Sequence, residues 1–155
     1  MIKNRKGIGL LEVIAALGIT AVVLTSLVSL SVFVLRSSLR GKLLLEGTKI
    51  SNREIELVRA YRDQPEVSWQ AFVGSLSGHN CGSVHCHMSP NGTEILSELV
   101  IRDGGTPQEI SYGFLYEDLL GAGEIIRISV EVSWKDAGVT KSTRIYTDFT
   151  NWQQK

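Results

Sequence analysis

The chain has 155 residues, with 16 Lys plus Arg against 16 Asp plus Glu and only 21% charged residues. That length suits one globular domain, and the balanced charge argues against a general nucleic-acid binder. Two cysteines exclude a disulfide-dense miniprotein, and the composition as a whole excludes a polytopic membrane protein and a disordered tail.

In chain order the first element is an apolar run. Residues 8–35 hold a single charge, Glu12, in 28 positions. A helix rises about 1.5 Å per residue and a bilayer core is roughly 30 Å thick, so about 20 residues suffice and this run exceeds them. Lys3, Arg5 and Lys6 stand before it with no acid among them. The positive-inside tendency puts that end in the cytoplasm and the rest of the chain across the membrane. A secretory signal has an apolar core of about 7 to 15 residues, so this longer segment is expected to be retained. Glu12 is costly there, because an ionised carboxylate in the membrane costs roughly 2.5 to 3.5 kcal/mol even on lenient scales. Its nearest cations in the same chain are Lys6 and Arg5, which can snorkel from the interface.

The string Lys6-Gly7-Ile8-Gly9-Leu10-Leu11-Glu12-Val13, behind a short basic leader, resembles the prepilin signal of type IV pilins and of the pseudopilins of type II secretion. The resemblance implies that residues 1–7 are a leader and that prepilin peptidase cuts between Gly7 and Ile8. Ile8 would then become an N-methylated N-terminus. Glu12 would be the fifth mature residue and would neutralise the α-ammonium of a neighbouring subunit as helices pack in a filament. Two costly buried charges would thereby become one pair. The family commonly has Phe and often Thr where this chain has Ile8 and Gly9. It also often carries a helix-breaking proline, whereas no proline here precedes Pro65, so any softening falls to Gly18, Gly41 or Gly47.

Residues 36–64 continue the helical pattern. Leu39, Leu43, Ile50, Leu57 and Tyr61 are spaced to share one face, which is expected to lie on a sheet. Lys42 with Glu46, Glu46 with Lys49, and Arg59 with Asp63 have supportive spacing on a solvated face. Pro65 stops the pattern. One spine helix from about Ile8 to about Asp63, roughly 80 Å long, is predicted.

Residues 65–94 read as a loop region, the stretch 74–93 being rich in Gly, Ser, Asn and Pro. The segment from His79 to His87 holds every His and every Cys of the chain. Cys81 and Cys86 can close a disulfide in an oxidising compartment, contributing about 2 kcal/mol by limiting the unfolded chain. Alternatively, His79, Cys81, His85, Cys86 and His87 supply thiolate and imidazole ligands to Zn²⁺ or copper. The Cys-x4-Cys spacing matches no familiar zinc module and has no second ligand pair, so neither a metal nor a cofactor is assigned. Asn91-Gly92-Thr93 fits a glycosylation acceptor, and Pro90-Asn91-Gly92 is read as a turn.

The period then changes to two. Strands are predicted at Ile95 to Arg102, Ile110 to Tyr116, Ile125 to Trp134 and Ser142 to Thr150. In the third, Ile126, Ile128, Val130, Val132 and Trp134 share one face and Arg127, Ser129, Glu131 and Ser133 the other. The fold class is therefore α+β, with a long N-terminal spine helix, transmembrane in its first half, packed on a C-terminal antiparallel sheet of about four strands spanning 95–155. The last hairpin, from Trp134-Lys135-Asp136 through Gly138 into Thr143 to Thr147, resembles the C-terminal part of PilV-type minor pilins and of I-type minor pseudopilins.

No nucleophile motif and no phosphate-binding glycine loop is present, so no catalytic residue is assigned and an enzyme is not expected. Loss of residues 1–7 removes three of the 16 basic side chains and leaves 13 against 16 acidic ones, so no nucleic-acid partner is expected. The expected function is that of a minor pilin, incorporated into a type IV pilus after processing. A minor pseudopilin of type II secretion is the alternative within that family. From another class, the alternative is a bitopic membrane protein displaying a metal-binding or redox domain. The expected partners are prepilin peptidase, other pilins or pseudopilins through the N-terminal helix, and the inner membrane. The N-terminus is expected in the cytoplasm and the headpiece outside it, before passage to the pilus or pseudopilus.

Overall fold

The computed structural model describes residues 6–103, 109–121, 123–136 and 138–151. Lys3 and Arg5 of the basic leader, and residues 104–108 between the first two predicted strands, lie outside them. The chain divides after Gly41 into two compact units, each described by itself. Helix α1, Lys6–Arg62, runs without a break through the boundary. It ends where Pro65 disfavours helical geometry in the residue before it, and Asp63 N–H still donates to the Arg59 carbonyl at 2.9 Å.

In the first unit the helix buries none of its apolar side chains among the residues whose burial is described. Leu10, Leu11, Leu17, Ile19 and Phe33 are all between 64% and 73% exposed. Leu39 belongs with them at 61%, so the buried face expected to begin there begins at Leu43 instead.

The second unit has the α+β layout read from the sequence. Its four-stranded antiparallel sheet has the order β3-β4-β5-β6, with β3 at Val100–Asp103, β4 at Glu109–Asp118, β5 at Ile125–Asp136 and β6 at Val139–Thr150. A small two-stranded sheet pairs β1, His87–Met88, with β2, Ile95–Leu96. The predicted strand from Ile95 to Arg102 is thus two strands in two sheets, interrupted at Ser97-Glu98-Leu99.

Period-two alternation on β5 organises the core. Ile126, Ile128, Val130 and Val132 are fully buried and Trp134 nearly so, while the residues between them are half-buried. Against this row lie Leu43, Ile50, Ile55 and Val58 of α1. The helix runs alongside β6: a Cβ added at Gly47 would lie 3.2 Å from Thr143 and Trp134 side-chain atoms, and Arg62 stacks over the Phe149 ring at 5.0 Å. A small residue at 47 lets the helix backbone approach that closely.

The region expected to be wholly loop contains a second helix, α2, Trp69–Gly78. Its Ser68 N-cap accepts a hydrogen bond from Ala71 N–H at 3.2 Å. Trp69, Phe72 and Leu76, spaced by three and four, face the core. Gly74, Ser75, Ser77 and Gly78 gave the segment its loop-like composition, but the apolar spacing and the burial of these three side chains prevail. Trp69 Nε1–H donates to the Gly123 carbonyl at 2.6 Å and ties α2 to the β4–β5 turn. That turn is closed by Asp118, whose carboxylate accepts from Leu120, Gly121 and Gly123 N–H at 2.9 to 3.3 Å.

Phe72 has no exposed surface and contacts the rings of Tyr61, Trp69 and Phe149 at 5.8 to 6.2 Å between centroids. Phe72→Ala is expected to cost about 3 to 5 kcal/mol by removing this cluster's centre. Chemical denaturation of the full chain in detergent measures it; a loss below about 1 kcal/mol would contradict the packing described.

Candidate functional site

Three features carry chemistry beyond packing: the exposed helix with Glu12, the cysteine loop, and a buried carboxylate beside a cavity. The first is long and apolar enough to cross a membrane, and its most apolar 18-residue stretch is wholly exposed. Four of its hydroxyls bond within the helix: Thr20, Thr25, Ser26 and Ser31 each donate to the carbonyl four residues back, at 2.7 to 2.9 Å. Hydroxyls bonded within their own helix add little cost in hydrocarbon. Glu12 is exposed on this helix, and the backbone of Gly7 and Ile8 lies in its first turn.

Cys81 and Cys86 are joined in a disulfide, and both are fully buried. The bridge holds a backbone partner for β4. Beyond the short β3, Cys86 exchanges two hydrogen bonds with Phe114, at 2.6 and 2.9 Å, and the Cys81 carbonyl accepts from Tyr116 N–H at 3.0 Å. The loop thus satisfies an edge that would otherwise offer unpaired donors and acceptors. Gly113 permits the fit, since a Cβ there would sit 2.9 Å from the His85 Cβ.

The alternative of a metal cluster on this loop finds no matching geometry. Both thiols are consumed by the bridge. His79 lies just past α2, with Nδ1 donating to the Ser75 carbonyl at 2.9 Å. His87 is turned into β1, with Nδ1 donating to the Met88 carbonyl at 2.9 Å and Nε2 lying 3.4 Å from Glu98 Oε1. Among the described residues no three His, Cys, Asp or Glu side chains converge as a ligand set. Pro90-Asn91-Gly92 forms the turn between β1 and β2, closed by Gly92 N–H to the Ser89 carbonyl at 2.8 Å.

Sequence reasoning missed Glu54. It falls four residues after Ile50 and so shares the stripe of α1 that faces the core, which is the signal that exposes it. It is 3% exposed, and its Oε2 accepts from Met88 N–H at 3.1 Å, fastening the β1–β2 hairpin to α1. It borders a cavity of about 330 Å³ with Arg53, Leu57, His87, Met88 and Tyr112. Burial pushes its carboxyl above the ordinary 4.5, against the opposing effects of the Met88 hydrogen bond and the charges of His87 and Arg53.

A carboxyl with a raised folded-state pKa binds its proton more tightly in the folded chain. Its contribution to stability is therefore full below 4.5 and is lost as pH rises through the folded value. Glu54→Gln keeps an acceptor for Met88 N–H and removes the charge. Stability of this variant should fall less than that of the parent between pH 4.5 and pH 8, as read by denaturation midpoints; parallel pH profiles would refute the assignment. Replacing both Cys81 and Cys86 by Ser should cost about 2 kcal/mol, from the loop-closure entropy restored to the unfolded chain. It should also speed amide exchange at Phe114 and Tyr116, and unchanged exchange there would separate the bridge from the β4 edge. No protein-family model, curated protein or solved structure matches the chain.

Proposed function

We propose that this protein is a minor pilin: a subunit made with a leader of residues 1–7, cut after Gly7 by prepilin peptidase, methylated at Ile8, and incorporated into a type IV pilus. The observation that carries the reading is the pairing of a wholly exposed apolar helix, bearing Glu12 as the sole charge of residues 8–35, with a disulfide-closed α+β headpiece. Such a helix has two media that can cover it, lipid and other helices of its kind. In lipid Glu12 is a liability of a few kcal/mol. Among packed helices it becomes a register mark, because the α-ammonium created at Ile8 of a neighbour supplies its counter-charge.

In this role the protein is a peptidase substrate and performs no catalysis itself. The N-terminal end faces the cytoplasm, where the peptidase acts, and the headpiece faces the other side of the inner membrane. There the Cys81–Cys86 bridge is stable, because such compartments are oxidising. A filament then forms by exchange of lipid for helix contacts along residues 8–35, with headpieces outward.

Two measurements in the native host test this together. Protein isolated from its membranes should begin at Ile8 and exceed the mass of its residues by one methyl group. Glu12→Leu should insert and be processed normally yet be absent from sheared filaments, a loss of at least tenfold relative to the parent. A chain that retains Met1 in cells with active peptidase, or normal incorporation of Glu12→Leu, would overturn the reading.

A further inference from the structure

The two edges of the headpiece sheet are treated differently. The β4 side is covered by β3 and by the disulfide loop. At the other edge, β6 pairs with β5 over 12 consecutive residues without a bulge, and among the described residues no strand lies on its outer side. It contains neither Pro nor Gly, and eight of its 12 residues are β-branched or aromatic. A long regular edge of that composition is a template for another strand.

The outward face of β6 specifies which strand. Arg144, Tyr146 and Asp148 alternate on it, with the cation and the anion placed symmetrically two residues either side of Tyr146. Each is continued on the neighbouring strand by its opposite. Arg144 Nη2 meets Glu131 Oε2 at 2.6 Å, and Arg127 grips Asp148 with two bonds of 2.8 and 3.0 Å. These hydrogen bonds hold the Glu131 and Asp148 carboxyls below their ordinary values. Tyr146 is 62% exposed, with the Arg127 guanidinium over its ring at 4.6 Å.

We propose that β6 pairs antiparallel with β6 of a second copy of this chain, about a twofold axis at Tyr146. An antiparallel pair centred there sets Arg144 opposite the second copy's Asp148, and Asp148 opposite its Arg144. Charge then alternates across the joined sheets in one unbroken row, from Glu117 to Arg127 to Asp148 and on to the second copy's Arg144 and Glu131. Centring on Arg144 would instead oppose two guanidinium groups, and centring on Ile145 would leave both charges opposite neutral residues. A register shifted by one would set the wet face against the core face. Surface ion pairs contribute little energy each, so the backbone ladder supplies affinity and the charges select register and partner.

Rotation about an axis normal to the sheet reverses every direction in its plane. The two β6 strands, and the Lys42–Arg62 segments of α1 alongside them, therefore run opposite ways. The pairing joins headpieces whose β6 strands and Lys42–Arg62 segments are antiparallel, and it does not depend on how residues 8–35 are covered.

Tyr146→Cys in the full chain, in detergent micelles, places two thiols on the axis. Mild oxidation should give a covalent dimer linked 146 to 146, identified by peptide mass. Ser142→Cys should give at least tenfold less, because in this register its counterpart lies eight residues along the strand, about 26 Å away. Tyr146→Lys, which opposes two ammonium groups on the axis, should shift the protein from dimer to monomer in sedimentation at matched concentration. Its far-ultraviolet spectrum and intact Cys81–Cys86 bridge report that it is folded. Equal cross-linking at 142 and 146, no cross-linking at either, or a dimer that survives Tyr146→Lys would each overturn the proposal.

Discussion

The headpiece depends on one constraint, the strict alternation of β5 between a face that excludes water and a face that meets it. Ile126 to Trp134 supply a continuous apolar ridge with no polar interruption, and the ridge has to be covered. α1 covers it beside β6, with Gly47 against Trp134 and Thr143, and α2 adds Phe72 and Leu76. Because the side-chain period is two, slipping β5 by one residue would bury Arg127 and Glu131 and expose the ridge, so register is fixed on both sides of the strand. The registers of β4 and β6, and with them the positions of the disulfide loop and the outer charge rows, follow from that strand.

The same reasoning explains what was legible in the sequence. Residues 8–35 form one unbroken apolar run and β5 keeps a single period along its length, and a helix and a strand are found at those positions. The failures share a physical cause: short elements whose identity is decided by partners distant in sequence. α2 has ten residues, four of them Gly or Ser outside its buried stripe, and without the core to receive Trp69, Phe72 and Leu76 it has little reason to be helical. β1 and β2 have two residues each and exist because Glu54, more than 30 residues earlier, holds Met88 N–H. Leu39 failed for the opposite reason. Its spacing is correct for the face, but the core begins one turn later, and periodicity carries no information about where a covering surface ends.

The His and Cys cluster shows the limit of composition as evidence. Five metal-capable residues within nine positions invite a shared explanation, but the backbone disperses them. The cysteines meet each other, His79 returns to its own helix and His87 turns into the hairpin. Proximity in sequence brings side chains within reach only when the loop curves to make them converge. Here the loop does curve, with Ser83 and Val84 N–H returning to the Asn80 carbonyl, but the curve brings the two cysteines to each other, their Cα atoms 5.5 Å apart, while His79 and His87 are held by backbone carbonyls elsewhere.

The polar groups of the chain follow one rule in three environments. On the exposed apolar helix, the hydroxyls of Thr20, Thr25, Ser26 and Ser31 bond to their own backbone, and Glu12 is the one charge of residues 8–35. In the headpiece interior, Glu54 is tolerated because it satisfies a backbone donor that no strand reaches. On the outer face of the sheet, charges are paired across strands and remain wet. The first and last of these place charges at a surface, Glu12 on the helix and, on β6, Arg144 and Asp148, each already bonded to its partner on β5. Each is placed on an element with a surface to cover, apolar side chains on the helix and backbone donors and acceptors on the edge of β6. On the proposed reading, the uncovered surface would supply the driving force in each case, while the charge would restrict what covers it to a partner with the complementary group at one register.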